Sequence, residues 1–129
     1  MRTLRLVGLA VFLAAACASA RADDVLGSAS IYGSPAQDAA VCSVWNTGTK
    51  PATIQVGIFG ESGEALPVLG NCNQNPLPAG NYCESFADIT PGVAFACSIA
   101  VTSGSGKNLR ATLDLIDSRN ITIRSARVD

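Results

Sequence analysis

Val93-Ala94-Phe95-Ala96-Cys97-Ser98-Ile99-Ala100-Val101 is the stretch on which the fold class turns. Val93, Phe95, Cys97, Ile99 and Val101 take every second position, and the small residues Ala94, Ala96, Ser98 and Ala100 fill the gaps. A period of two puts the two sets on opposite faces of a β-strand, whereas a helix would scatter both around its circumference. The pattern recurs on either side. Ile54, Val56 and Ile58 alternate with Thr53, Gln55 and Gly57, and Leu109, Ala111, Leu113 and Leu115 alternate with Arg110, Thr112 and Asp114. Ile121 and Ile123 alternate with Thr122 and Arg124, and another strand is expected around Cys42. Gly60-Glu61-Ser62-Gly63 and Asp117-Ser118-Arg119-Asn120 carry hairpin chemistry, and the run from Ser103 to Asn108 suits a longer connection. No window past the N-terminus shows a helical repeat. Seven or eight short strands predict an all-β fold, a small antiparallel β-sandwich or barrel.

The N-terminus follows the order of a secretory signal. Arg2 and Arg5 precede an uncharged apolar run from Leu6 to Ala16, and Ala20-Arg21-Ala22 fits the small-residue cleavage pattern, with Ala18-Ser19-Ala20 as a second acceptable site. The apolar run falls short of the roughly 20 residues that span a bilayer. Residues 1–22 are therefore expected to be a signal peptide and 23–129 a single secreted or periplasmic domain. Leu13-Ala14-Ala15-Ala16-Cys17 also approximates a lipoprotein signal with the leucine one position too far away, and a lipidated Cys17 would anchor the chain to a membrane surface. Removal of the signal takes the formal charge from −1 to −4, since six basic residues then face ten acidic ones. An acidic domain is a poor partner for nucleic acid or anionic lipid.

Cleavage also leaves an even set of cysteines, Cys42, Cys72, Cys83 and Cys97. In an exported domain of this size they read as two disulfides. A metal site is disfavoured by the absence of histidine and of any closely spaced cysteine pair, and no cofactor is expected. Cys42 with Cys97 would join two strong strands, leaving Cys72 with Cys83. The competing pairing is Cys83 with Cys97 across a hairpin turning at Thr90-Pro91-Gly92.

Cys42-Ser43-Val44-Trp45-Asn46-Thr47-Gly48, the following Pro51-Ala52-Thr53-Ile54-Gln55-Val56 and then Gly63 resemble bacterial immunoglobulin-like sandwich modules of the CARDB-like and cell-adhesion-related kinds. Leu77-Pro78-Ala79-Gly80 is similar to the corner that often follows in them, so the likeness covers roughly residues 42–80. It implies a Greek-key sandwich and a binding or scaffolding role, and it carries over no functional residue. Trp45 departs from the antibody pattern, because it shares a strand with Cys42 rather than lying on the next one.

With no histidine, Ser-His-Asp and Cys-His nucleophile activation are impossible. A carboxylate pair drawn from Glu61, Glu64, Glu84, Asp88, Asp114 and Asp117 is the one catalytic scheme left. Three of these acids fall in turns, and Asp114 is expected to pair with Arg124, so catalytic residues are not expected. Trp45, Tyr32, Tyr82 and three phenylalanines are expected to be consumed by the core, leaving none for a sugar-binding cleft. Two candidate surfaces remain: a disulfide-closed loop from Cys72 to Cys83 presenting Asn75, Leu77 and Tyr82, and a basic C-terminal face of Lys107, Arg110, Arg124 and Arg127. A structural crossover loop and a solvated sheet face with ion pairs are the simpler explanations of the two. The function expected is that of an exported, non-enzymatic interaction or structural module of a bacterial envelope or medium. The alternative is an inhibitor of a secreted or periplasmic hydrolase acting through the 72–83 loop.

Overall fold

Alternating strands with one apolar face can bury it only against a second sheet, and the chain does so. The computed structural model describes residues 24–129; residues 1–22, expected to be a signal peptide, lie outside the described residues with Cys17. Eight strands run in the order β1 (Asp24–Gly27), β2 (Gln37–Asn46), β3 (Thr53–Gly60), β4 (Leu69–Gly70), β5 (Tyr82–Asp88), β6 (Phe95–Ser103), β7 (Leu109–Asp117) and β8 (Thr122–Val128). They form a three-stranded sheet, β1-β6-β3, and a five-stranded sheet, β4-β5-β2-β7-β8, both antiparallel. Between β6 and β7 the chain crosses from one sheet to the other through a 3-10 turn, Gly106–Asn108.

The core comes from the alternating sets. Ile54 and Ile58 of β3 with Phe95, Cys97, Ile99 and Val101 of β6 face Ala40, Cys42 and Val44 of β2 and Leu113 and Leu115 of β7. Each large aliphatic side chain taken from water contributes about 1.5–3 kcal/mol. Phe95 is the one fully buried aromatic side chain among the described residues, so the expectation that aromatics are spent on the core is corrected. Aliphatic side chains fill the space instead.

Cys42 and Cys97 are bonded to each other from the middles of β2 and β6, with Cα atoms 6.2 Å apart, and pin the two sheets together. Cys72 is bonded to Cys83 and ties the segment after β4 to the start of β5. The competing Cys83–Cys97 pairing fails because each of those cysteines is bonded elsewhere, and β5 and β6 lie in different sheets and so do not make the hairpin it assumed. Residues 90–94 are a crossing between sheets, not a hairpin.

β2 carries a buried amide side chain at each end. Gln37 Oε1 accepts hydrogen bonds from the Gly33 and Ser34 N–H groups, while its Nε2 donates to the carbonyls of Thr90 and Val93. Asn46 Nδ2 donates to the carbonyls of Lys50 and Leu77, and its Oδ1 accepts from Gly48 N–H. Loops that would otherwise hide unpaired backbone groups are thus satisfied from the strand they flank.

The free edge of β3 is closed by the long connection to β5. Asn73 uses its side chain as a strand would, accepting from Val56 N–H at 2.6 Å and donating to Val56 C=O at 3.0 Å. Leu77 pairs with Ala52 through both backbone bonds, and Leu66 N–H donates to Ile58 C=O. A covered edge cannot recruit another strand. It also fixes the course of the 72–83 segment, which runs along the β3 edge through Asn73 and Leu77 rather than standing clear of the sheets as the interaction-loop reading required.

Candidate functional site

Strand parity determines what the five-stranded sheet shows to water. On β2 the even positions Cys42 and Val44 point inward, so Ser43 and Trp45 point outward. On β5 the inward set is Cys83, Ser85 and Ala87, which sends Tyr82, Glu84 and Phe86 out. Register then aligns these residues across strands. Tyr82, Trp45 and Arg110 form one row, Glu84, Ser43, Thr112 and Arg127 the next, and Leu69, Phe86, Val41, Asp114 and Ser125 a third.

The first two rows enclose a groove of about 450 Å³ lined by Ser43, Trp45, Tyr82, Arg110, Thr112 and Arg127. Trp45 is 53% exposed and Tyr82 60%, although both are large and apolar. Their ring centroids lie 6.0 Å apart with the planes tilted by 34°, within the range of favourable aromatic pairs. Phe86 and Leu69 are exposed on the same face, beyond the polar row of Glu84, Ser43, Thr112 and Arg127. The Arg110 guanidinium is steadied by donating from Nη1 to the carbonyls of Lys107 and Leu109, and Arg127 is paired with the Asp129 carboxylate. Two guanidinium groups line the groove, and carboxylates stand at its rim: Glu84 accepts from the Ser43 hydroxyl, Asp114 from the Thr112 hydroxyl, and Asp129 pairs with Arg127, which leaves Arg110 with no carboxylate partner among the described residues.

The expected basic face is only half assembled. Arg110 and Arg127 reach the groove, while Lys107 sits in the 3-10 turn before β7. Arg124 stands opposite Leu115, an odd number of positions from Arg127 on a regular stretch of β8, and so lies on the other face. The expected Arg124–Asp114 pair is absent for the same reason: Asp114 stands opposite Ser125 and accepts a hydrogen bond from its hydroxyl. The loop candidates also divide. Tyr82 belongs to the groove and Asn75 is exposed, but Leu77 is 4% exposed and packs in the core, so it is not available to a partner. That removes the apolar anchor on which an inhibitory loop relied.

No two of the six acids considered for catalysis face each other across a strand pair. Glu61 and Glu64 lie in the turn after β3, where Glu64 accepts from Ser62 N–H, while Glu61 accepts from Ala94 N–H in the crossing before β6. Asp88 closes β5 opposite Ala39, and Glu84 and Asp114 are separated by β2.

Asp117 closes the β7–β8 turn. Its carboxylate receives Nε and Nη2 of Arg119 and the N–H groups of Arg119 and Ile121. The Arg119 side-chain hydrogen bonds, followed by the Ile121 N–H, hold its pKa below the usual 3.8. A depressed folded-state pKa contributes stability that is present above 3.8 and lost as pH falls through the lowered value. Asp117→Asn should therefore flatten the acid limb of a melting-temperature profile taken from about pH 6 to about pH 2, with wild type losing more than the variant. Parallel profiles would show that the turn does not couple to stability.

The groove was missed by sequence reasoning although its signal was present. Once Cys42 and Cys83 are assigned inward, alternation alone places Trp45 and Tyr82 outward. No family model, curated protein or solved structure compared with the chain matches it.

Proposed function

We propose that the protein is an exported, non-enzymatic binding module of a bacterial envelope or medium that engages its partner on the outer face of the five-stranded sheet. The observation that carries this is the exposed Trp45–Tyr82 pair flanked by Arg110 and Arg127. Exposure of contiguous large apolar side chains costs solubility, and patches of this kind rimmed by polar groups mark interaction sites. Trp, Tyr and Arg are also the residue types that dominate binding energy where they cluster. Two disulfides are consistent with an oxidising compartment, as is the sequence of the N-terminus. The paired strands beneath the groove mean that its backbone needs little ordering on binding.

The test is co-sedimentation of the purified protein with the envelope fraction of the cells that export it. Trp45→Ala with Tyr82→Ala should reduce the bound fraction by about tenfold or more, because two such anchors each contribute at the level of about 1–2 kcal/mol. Gln55→Ala, on the exposed face of the other sheet, should leave binding unchanged. Equal binding by the double variant would remove this face from contention.

A further inference from the structure

We propose that the occupant of the groove is an acidic saccharide, a glycan whose sugar rings carry carboxylates. This rests on the outer face being the binding surface and says what binds there. Trp45 and Tyr82 form a two-ring platform with open π-faces. Such faces accept the apolar C–H side of a pyranose ring while the indole N–H and the phenol hydroxyl remain free to hydrogen-bond. Ser43 and Thr112 add two hydroxyls to the lining; each donates its proton to a carboxylate, Glu84 and Asp114, and keeps lone pairs that accept from sugar hydroxyls.

Charge selects the acidic class. Among residues 24–129 six basic side chains face nine acidic ones, yet Arg110, beside Trp45 and Tyr82 in the groove, donates only to backbone carbonyls and has no carboxylate partner among the described residues. A guanidinium fork matches a carboxylate in shape and charge. Arg127 already holds one, that of Asp129, at the exposed end of the groove, so a ligand carboxylate reaches it by displacing that side chain.

Backbone pairing disfavours an extended peptide. β2, which floors the groove, is hydrogen-bonded to β5 on one side and β7 on the other. No free N–H or C=O is left to pair with a peptide backbone, the main source of affinity when a strand is added to a sheet. A saccharide brings no backbone that needs such partners. The volume of about 450 Å³ falls within the range of small-ligand sites.

Trp45 is the one tryptophan in the chain, so its emission reports on this site alone. The experiment titrates the purified protein with polygalacturonate, alginate and hyaluronate, and with neutral dextran. At least one uronate polymer should produce a saturable change in Trp45 emission that weakens with added salt, and dextran should produce none. Arg110→Gln and Arg127→Gln, each checked for folding by circular dichroism, should each weaken the binding by about tenfold, as expected for a lost charged hydrogen bond. Silence with all three uronates, an equal response to dextran, or unchanged affinity in both arginine variants would overturn the acidic saccharide. If silence were accompanied by envelope binding that still depends on Trp45 and Tyr82, the face would stand and only its occupant would be wrong.

Discussion

Replacing Cys42 and Cys97 together by alanine should lower the unfolding free energy by about 4 kcal/mol, the largest loss expected from any pair of substitutions. The bond spans 55 residues of sequence, and releasing a loop of that length restores more conformational freedom to the unfolded chain than a short one does. Cys72 and Cys83 are only 11 positions apart, so their removal should cost less, about 3 kcal/mol. A domain of about 100 residues has only some 5–15 kcal/mol in total, so the first variant should be close to unfolding at physiological temperature. Urea unfolding followed by far-ultraviolet circular dichroism measures both. Trp45 emission is a poor probe here, since its ring is already exposed in the folded state. An equal or reversed order of the two losses would contradict the assignment of Cys42–Cys97 as the bond that ties the sheets.

Gln37→Leu should be the most damaging single substitution of a polar side chain, with a loss of about 3 kcal/mol. Leucine is of similar size and fits an apolar surrounding, so steric arguments alone predict little change. Four backbone groups decide the matter: the Gly33 and Ser34 N–H groups and the Thr90 and Val93 carbonyls all lose their partner. These belong to two loops far apart in sequence, so one side chain anchors both to the start of β2. Each buried group left unpaired costs about 1–3 kcal/mol, reduced where water can reach it. Thr112→Ala on the open face serves as the comparison and should stay within about 0.5 kcal/mol of wild type. A Gln37→Leu protein as stable as Thr112→Ala would show that water satisfies those loops.

Most of the strands were legible because their inward residues are large and apolar. β3, β6 and β7 follow the alternation closely, while β6 begins at Phe95 rather than Val93 because Gln37 holds the Val93 carbonyl in the crossing. β8 begins at Thr122 rather than Ile121, whose N–H and C=O both serve the Asp117 turn. β5 was not legible by hydrophobicity, for its pattern is inverted: Cys83, Ser85 and Ala87 point inward, and Tyr82 and Phe86 point to water. A rule that sends aromatic residues to the core misplaces those two and Trp45 together. That is why the groove escaped notice even though parity from the cysteines locates it. Gln37 escaped for a different reason, since nothing in a sequence distinguishes an amide that will be fully paired from one that will be solvated. Leu77 failed in the opposite sense, reading as a loop residue while its backbone pairs with Ala52 and its side chain enters the core.

The most direct test of the outer face as the working surface is site-specific photocrosslinking in the cell that makes the protein. Benzoylphenylalanine replaces Thr112 in the groove in one protein and Gln55 on the exposed face of the three-stranded sheet in another. The groove position should capture a discrete adduct that disappears when Trp45 and Tyr82 are also changed to alanine, and the Gln55 position should capture none. Adducts from Gln55 alone, or the same adducts from both positions, would contradict the account.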